Sequence, residues 1–248
     1  MSDANTGLVV VSIMVAAVGA VCLWWRSRTN REIRVMAATP LSTAVDAAKA
    51  APGTLVKMMG TLRCAAPITG EFSRKACAYF KAEISRQEDY YENEDGKQVR
   101  KTRTVTIHSA TQNAPCMVAD NTGSVALDFT GASVEAVQVI NQYGNPNPET
   151  VPKSTGFMAA LERFGHGNDR YTESILEPEI AVYVMGEART GGSIGAPAKG
   201  SRNKIFVISH KSEAEHNKDL GSTARFALWL AIILFVIAAV IFYFAVAG

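Results

Sequence analysis

Residues 226–247 read FALWLAIILFVIAAVIFYFAVA. The run has about 22 residues and no charge, enough to cross the hydrocarbon core of a bilayer with some tilt. Its aromatic residues gather near its ends, Trp229 at one and Phe242, Tyr243 and Phe244 at the other, as in an interfacial belt. A shorter run, LVVVSIMVAAVGAVCLWW, occupies residues 8–25 and ends on Trp24 and Trp25. The segment ahead of it, MSDANTG, carries Asp3 and no Lys or Arg, and no A-x-A site follows the run. Both features oppose a cleaved signal peptide and predict a retained anchor. Working outward, the chain divides into a transmembrane helix at 8–25, a soluble β domain at 39–210, a juxtamembrane helix at 211–225 and a transmembrane helix at 226–247.

The basic residues give an orientation. Arg26, Arg28, Arg31 and Arg34 follow the first run, and no Lys or Arg precedes it. Lys211, Lys218 and Arg225 lead into the second run, and none follows it. Positive residues stay on the cytoplasmic side of a plasma membrane, so the central domain is expected there, with both termini on the outer side. The lipid bilayer is the first partner implied. The net charge of +2 is too small to argue for a nucleic acid or an acidic substrate. Cys64, Cys77 and Cys116 are the cysteines of the central domain. Three thiols without a C-x-x-C fit free, packed cysteines in a reducing compartment, with a Cys64–Cys77 pair as the alternative if those strands are neighbours.

Strand signals dominate the centre. A short helix is expected within TPLSTAVDAAKAAPG (39–53), with Thr39 as cap and Pro40 in its first turn. Residues 54–63 read as a strand with a bulge or bend at Gly60. Residues 76–90 and 98–110 flank Glu94-Asp95-Gly96-Lys97, a hairpin signal. Residues 115–119 and 124–129 flank the tight turn Asp120-Asn121-Thr122-Gly123, and 180–188 and 204–209 are the last strands. Loops are expected at 141–153 and at the Gly-rich connector 190–203, a helical insert at 155–164, and a helix at 213–220 capped by Ser212 with Glu215. The fold class predicted is mainly β, an OB-like barrel with a helical insert, flanked by two transmembrane α-helices.

No catalytic, cofactor-binding or metal-ligating constellation emerges. His108, His166, His210 and His216 are scattered, and no H-E-x-x-H, G-x-S-x-G, P-loop or dinucleotide fingerprint occurs. The paired Cys/His spacings of a zinc ribbon or RING are absent from these residues. The hairpin is the informative surface. One arm carries Glu83, Glu88, Asp89, Glu92, Glu94 and Asp95, and the other Lys97, Arg100, Lys101 and Arg103. Folding about the turn sets Glu94 by Lys97 and Glu88 by Arg103. The arms either neutralise each other or form a projecting element that touches headgroups or a protein, with Tyr90, Tyr91, Lys97, Arg100, Lys101 and Arg103 as contact residues. Nucleic-acid binding on an OB-like face is disfavoured, since aromatic platforms interleaved with Lys and Arg are not evident. Two spans without an intramembrane charge argue against a transporter or channel unless many chains assemble; a homo-oligomer is kept as an alternative partner.

The stretch GTLRCAAPITGEFSRKACAYFKAEI (60–84) resembles the opening of the GIDE domain, also called the beside-a-membrane domain. The residues that carry the resemblance are Gly60, Cys64, Pro67, Phe72, Ser73, Cys77, Tyr79, Phe80 and Glu83. DNTGSVALD, with Asp120 and Gly123, is similar to the family's D-x-TG strand pair. YTESILEPEIAVYVMGEA (171–188), with Gly186 and Glu187, is similar to its Tyr-x-E…VYVxGE segment. The resemblance covers residues 39–247 and gives these positions a structural role. The family includes membrane-anchored E3 ubiquitin ligases in which two membrane helices bracket this domain and a RING follows. This sequence ends at Gly248, straight after the second run, so the RING's ligase chemistry is not expected of these residues. The resemblance implies a membrane-anchored module that recognises or scaffolds unidentified protein partners. The alternative is a ligase-like subunit that needs a catalytic partner.

Overall fold

A computed structural model describes residues 3–94, 97–144, 169–201, 204–211 and 213–247. The expected helix at 155–164, the Asp95-Gly96 turn, His166 and Ser212 lie outside the described residues. Three helices are described: α1 (Asp3–Ala38), α2 (Ala44–Lys49) and α3 (Glu213–Ala247). The strands are β1 (Leu55–Cys64), β2 (Ile68–Thr69), β3 (Ala76–Cys77), β4 (Tyr79–Glu94), β5 (Lys97–Asn113), β6 (Cys116–Ala119), β7 (Ser124–Leu127), β8 (Ser133–Glu135), β9 (Val137–Tyr143), β10 (Asp169–Leu176), β11 (Ala181–Arg189), β12 (Ser193–Gly195) and β13 (Val207–Ser209).

The helical unit is α1 with α3. Both are long and apolar enough to cross a membrane, over Thr6–Ala38 and Gly221–Val246. α3 runs unbroken from Glu213 to Ala247, so the juxtamembrane stretch and the second apolar run form one helix. Small residues set the packing. Ser12 and Gly19 are buried on α1, and Ala227, Ala231, Ala238 and Ala245 on α3. The α3 positions recur at intervals of four or seven, which keeps them on one face. A Cβ at Gly19 would lie 3.2 Å from the Phe235 ring, the close approach that small residues permit between apolar helices. Large side chains such as Trp24, Ile233 and Phe242 point outward. The Ser12 hydroxyl donates to the Val9 carbonyl (2.8 Å) and Thr29 to Trp25 (3.1 Å), which satisfies polar groups inside an apolar helix.

The β unit, Leu41–His210, is built on a five-strand ring. β1 pairs with β6, β6 with β7, β7 with β12, β12 with β11, and β11 again with β1. The mainly β expectation is met by a closed barrel. Alternating residues fill it: Val56, Met58, Leu62, Val118, Val125, Leu127, Val182, Val184 and Ile194 belong to one core cluster. Gly60 is not a bulge. It lies where β1 passes from β11 to β6, with Thr61 opposite both Ala181 and Ala119. A Cβ at Gly60 would lie 2.5 Å from the Ala119 carbonyl oxygen, so the crossing needs glycine's bare backbone. β13 extends the sheet from β11 and pairs in parallel with β8.

A second sheet, ordered β5-β4-β10-β9, has its own core of Phe72, Cys77, Phe80, Ala82, Ile84, Tyr171 and Ile175. Several expectations are corrected here. Residues 141–143, read as loop, finish β9 against β10. The connector 190–203 contains β12, which completes the ring. The short helix begins at Ala44 rather than after Thr39. Thr43 is its cap, with its hydroxyl oxygen accepting from the Asp46 N–H (3.2 Å), while the Thr39 hydroxyl donates back to Val35 at the end of α1 (2.8 Å). Thr43 with Asp46 forms a tighter N-terminal pattern than Pro40 can.

Candidate functional site

β10 pairs with β4 only as far as Arg86. Beyond it, Gln87–Glu94 pair with β5 and with no other strand among the described residues. At about 3.3 Å per residue this two-stranded arm extends roughly 26 Å past the sheet. Its root is firmly held. The Arg86 guanidinium donates to both carboxylate oxygens of Asp169, at 2.7 and 2.8 Å, and Asp169 is fully buried. Such a two-point pair fixes the direction of both side chains. Residues 86 and 169 are far apart in the chain, and nothing in the sequence links them.

Charge pairing zips the arm. Arg100 pairs with Asp89, Lys101 with Glu92 (2.6 Å) and Glu94, and Arg103 with Glu88 (3.0 Å). The Thr102 hydroxyl donates to Asp89 (2.7 Å). Hydrogen bonds from Arg100 and then Thr102 hold the Asp89 carboxyl below its ordinary range. The register puts Glu88 opposite Arg103 and Glu94 opposite Lys97, as the turn implies. Glu94 nevertheless bonds Lys101, which lies diagonally on the same face and reaches two carboxylates at once. The arm presents its tyrosines differently. Tyr90 lies opposite Lys101 and Tyr91 opposite Arg100, so strand alternation puts the two rings on opposite faces. Arg103 lies over the Tyr90 ring at 5.8 Å, and Tyr91 is 66% exposed. The contact residues therefore divide into a face with Tyr90, Lys97, Lys101 and Arg103 and a face with Tyr91 and Arg100.

The remaining sequence-singled residues hold the scaffold. The Phe72 and Ser73 N–H groups donate to the two oxygens of Glu173, at 3.0 and 2.7 Å. Glu173 is fully buried, and a Cβ at Gly70 would come within 3.0 Å of it. The Phe72 ring meets Tyr171 edge-on at 5.5 Å. Cys77 lies beneath this loop, its thiol pushed up to about 11 by burial and then by the Glu173 charge. Pro67 is exposed at the turn before β2. Tyr79 stacks on Phe129 at 5.6 Å. Glu83 accepts from the Thr106 hydroxyl (3.1 Å). His108 meets Glu71 at 3.1 Å.

Asp120 latches the short helix. It accepts from the Thr122 hydroxyl (2.6 Å) and amide (2.7 Å), the Ala44 amide (2.8 Å) and the Gly123 amide (3.2 Å). Those donors, Thr122 foremost, hold its carboxyl down to about 2. Glu187, also buried, accepts from the Ala198 amide (3.0 Å) and the Ser201 hydroxyl. Gly186 lies where a Cβ would meet the Phe206 ring at 2.7 Å and the Gly195 carbonyl at 2.9 Å. Cys64 is brought opposite Cys116 rather than Cys77. Sequence reasoning did not single out Asp169 or Glu173; Tyr-x-E marked Glu173 only as part of a motif. Among the described residues no group of three or more His, Cys, Asp or Glu could hold a metal ion.

A family model described as "GIDE: E3 Ubiquitin ligase" matches residues 86–242, more than half of the 248-residue chain. The matched region opens at the root of the arm and takes in Asp120, Gly123, Gly186 and Glu187, whereas the residues from Gly60 to Glu83 precede it. No curated protein and no solved structure matches the chain.

Proposed function

This chain belongs to the GIDE family, and on that premise we propose that it is a membrane-anchored recognition module whose β4–β5 arm engages a protein partner. The family is associated with E3 ubiquitin ligases. In this reading α1 and α3 span a bilayer, the β unit stands on its cytoplasmic side, and the module selects or scaffolds partners without performing chemistry. One observation carries it. The arm from Gln87 to Glu94 pairs only with its own return strand among the described residues, so it adds little to the core. It is zipped by mutual charge pairs and presents Tyr91 to solvent. A pre-ordered ribbon loses little freedom on docking, and exposed tyrosine is a frequent anchor at interfaces.

The test is a photo-crosslinkable residue in place of Tyr91 in the full chain, compared with one in place of Glu179 on a distant exposed turn of the β unit. A partner captured from Tyr91 and not from Glu179, whose co-purification with the probe-free chain is lost when the arm is shortened to Arg86 and Val105, supports the reading. Equal capture from both positions, or retention by the shortened arm, defeats it. The ligase-like alternative gains from the family's association. Its mark is capture of a ubiquitin-conjugating enzyme together with ubiquitin transfer in a reconstituted reaction. Salt-sensitive binding of single-stranded nucleic acid to the full chain in detergent would favour an OB-type binder instead.

A further inference from the structure

Two cysteines face each other on neighbouring strands of the barrel wall. Cys64 closes β1 and Cys116 opens β6, and the antiparallel register makes them direct partners. Their sulfurs are 2.9 Å apart, inside ordinary sulfur–sulfur contact. The backbone explains the approach. The Leu62 amide and carbonyl are spent on Ile180 (2.9 Å) and Glu179 (2.8 Å), away from β6. Cys64, two residues on, shares that parity. The Cys64–Cys116 pair is therefore a non-hydrogen-bonded one, the site in an antiparallel ladder where Cα atoms come to about 4.5 Å and side chains are closest. That separation falls inside the span a disulfide can bridge.

We propose that Cys64 and Cys116 are a redox modification site, at which a hydroperoxide converts the two thiols into a reversible disulfide joining β1 to β6. The sulfurs differ in access, which assigns their order. Cys64 is partly exposed and Cys116 buried. Burial, then the hydrogen bond with Cys64, pushes the Cys116 thiol upward, so Cys116 is a poor first nucleophile. The Cys64 thiolate attacks the peroxide. Its sulfur takes one oxygen as the O–O bond breaks, giving a sulfenic acid, and the other oxygen leaves as water or alcohol after protonation. The Cys116 sulfur then attacks the Cys64 sulfur. An S–S bond forms, the S–O bond breaks, and the departing hydroxide takes the Cys116 proton to become water. The two thiols lose two electrons and the peroxide gains them. A thiol reductant reverses the bond by exchange.

Cys77 does not compete. It is fully buried, and its thiol is held up at about 11. The carbonyls of Pro115 (3.5 Å) and Ala114 (3.3 Å) receive the Cys64 and Cys116 thiols respectively, contacts that end when the protons leave.

The experiment uses the full chain in detergent. Reduced protein is exposed to hydrogen peroxide, quenched with N-ethylmaleimide under unfolding conditions, digested without reductant and mapped by mass spectrometry. The expected result is loss of the alkylated Cys64 and Cys116 peptides and gain of one linked peptide, lighter than their reduced sum by two hydrogens and reversed by dithiothreitol. Cys77 stays alkylated. Cys64→Ser and Cys116→Ser each remove the linked peptide. The wild-type map decides the matter even if a variant fails to fold. A Cys64–Cys77 link, a link only between chains, or both thiols still alkylated at peroxide doses that oxidise free glutathione would overturn the proposal.

Discussion

At the scale of single residues, two carboxylates do unlike work. Glu173 is buried and supplies the acceptors for the Phe72 and Ser73 amides. Replacing it with Ala orphans both donors, each worth about 1–3 kcal/mol when left buried and unbonded. Glu173→Ala should lower the urea midpoint markedly, and Glu173→Gln, which keeps one acceptor oxygen, should lower it less. Asp120 sits at the surface of its turn, and its carboxyl is held down to about 2 by Thr122 and the backbone donors. A depressed carboxyl stabilises the fold above its unfolded value near 3.9 and loses that contribution as pH falls toward the folded value. Between pH 5 and pH 2, melting temperature should therefore fall less steeply for Asp120→Asn than for the parent chain, read by circular dichroism.

At the scale of elements, glycine positions test the ring. A Cβ at Gly60 collides with the Ala119 backbone, whereas one at Gly123 meets only the Val45 methyl at 3.4 Å. Gly60→Ala should cost about 1–3 kcal/mol, the usual range for overpacking, and Gly123→Ala should stay close to neutral, measured side by side in urea. The apolar helices were legible because an uncharged run of that length has few other uses. The arm was legible from Asp-Gly between two long extended runs of opposite charge. Its finer pairing was not: which carboxylate Lys101 reaches depends on face and side-chain length. β12 went unread because three residues inside TGGSIGAPAKG are too few for a periodic signal, and only Ile194 carries its buried contact to the barrel core. The Arg86–Asp169 pair and the Cys64–Cys116 pairing were hidden for a related reason, since both follow from register between strands distant in sequence.

At the scale of the whole molecule, two helices that each meet the length and hydropathy of a span predict a simple fractionation. The chain should stay with the membrane pellet through an alkaline carbonate wash and leave it only with detergent; release by carbonate alone would contradict anchoring. A consequence for biosynthesis lies in the ring seam. β1 closes against β11, and the paired residues, from Leu55–Glu187 to Thr61–Ala181, are roughly 120 to 130 positions apart, a separation that slows folding. At ordinary translation speeds the wait for the second strand is on the order of ten seconds. A leading helix that enters lipid would do so well before β1 finds its mate, so a chain anchored in that way would be tethered while a half-built wall with an unpaired edge is still open to chaperones.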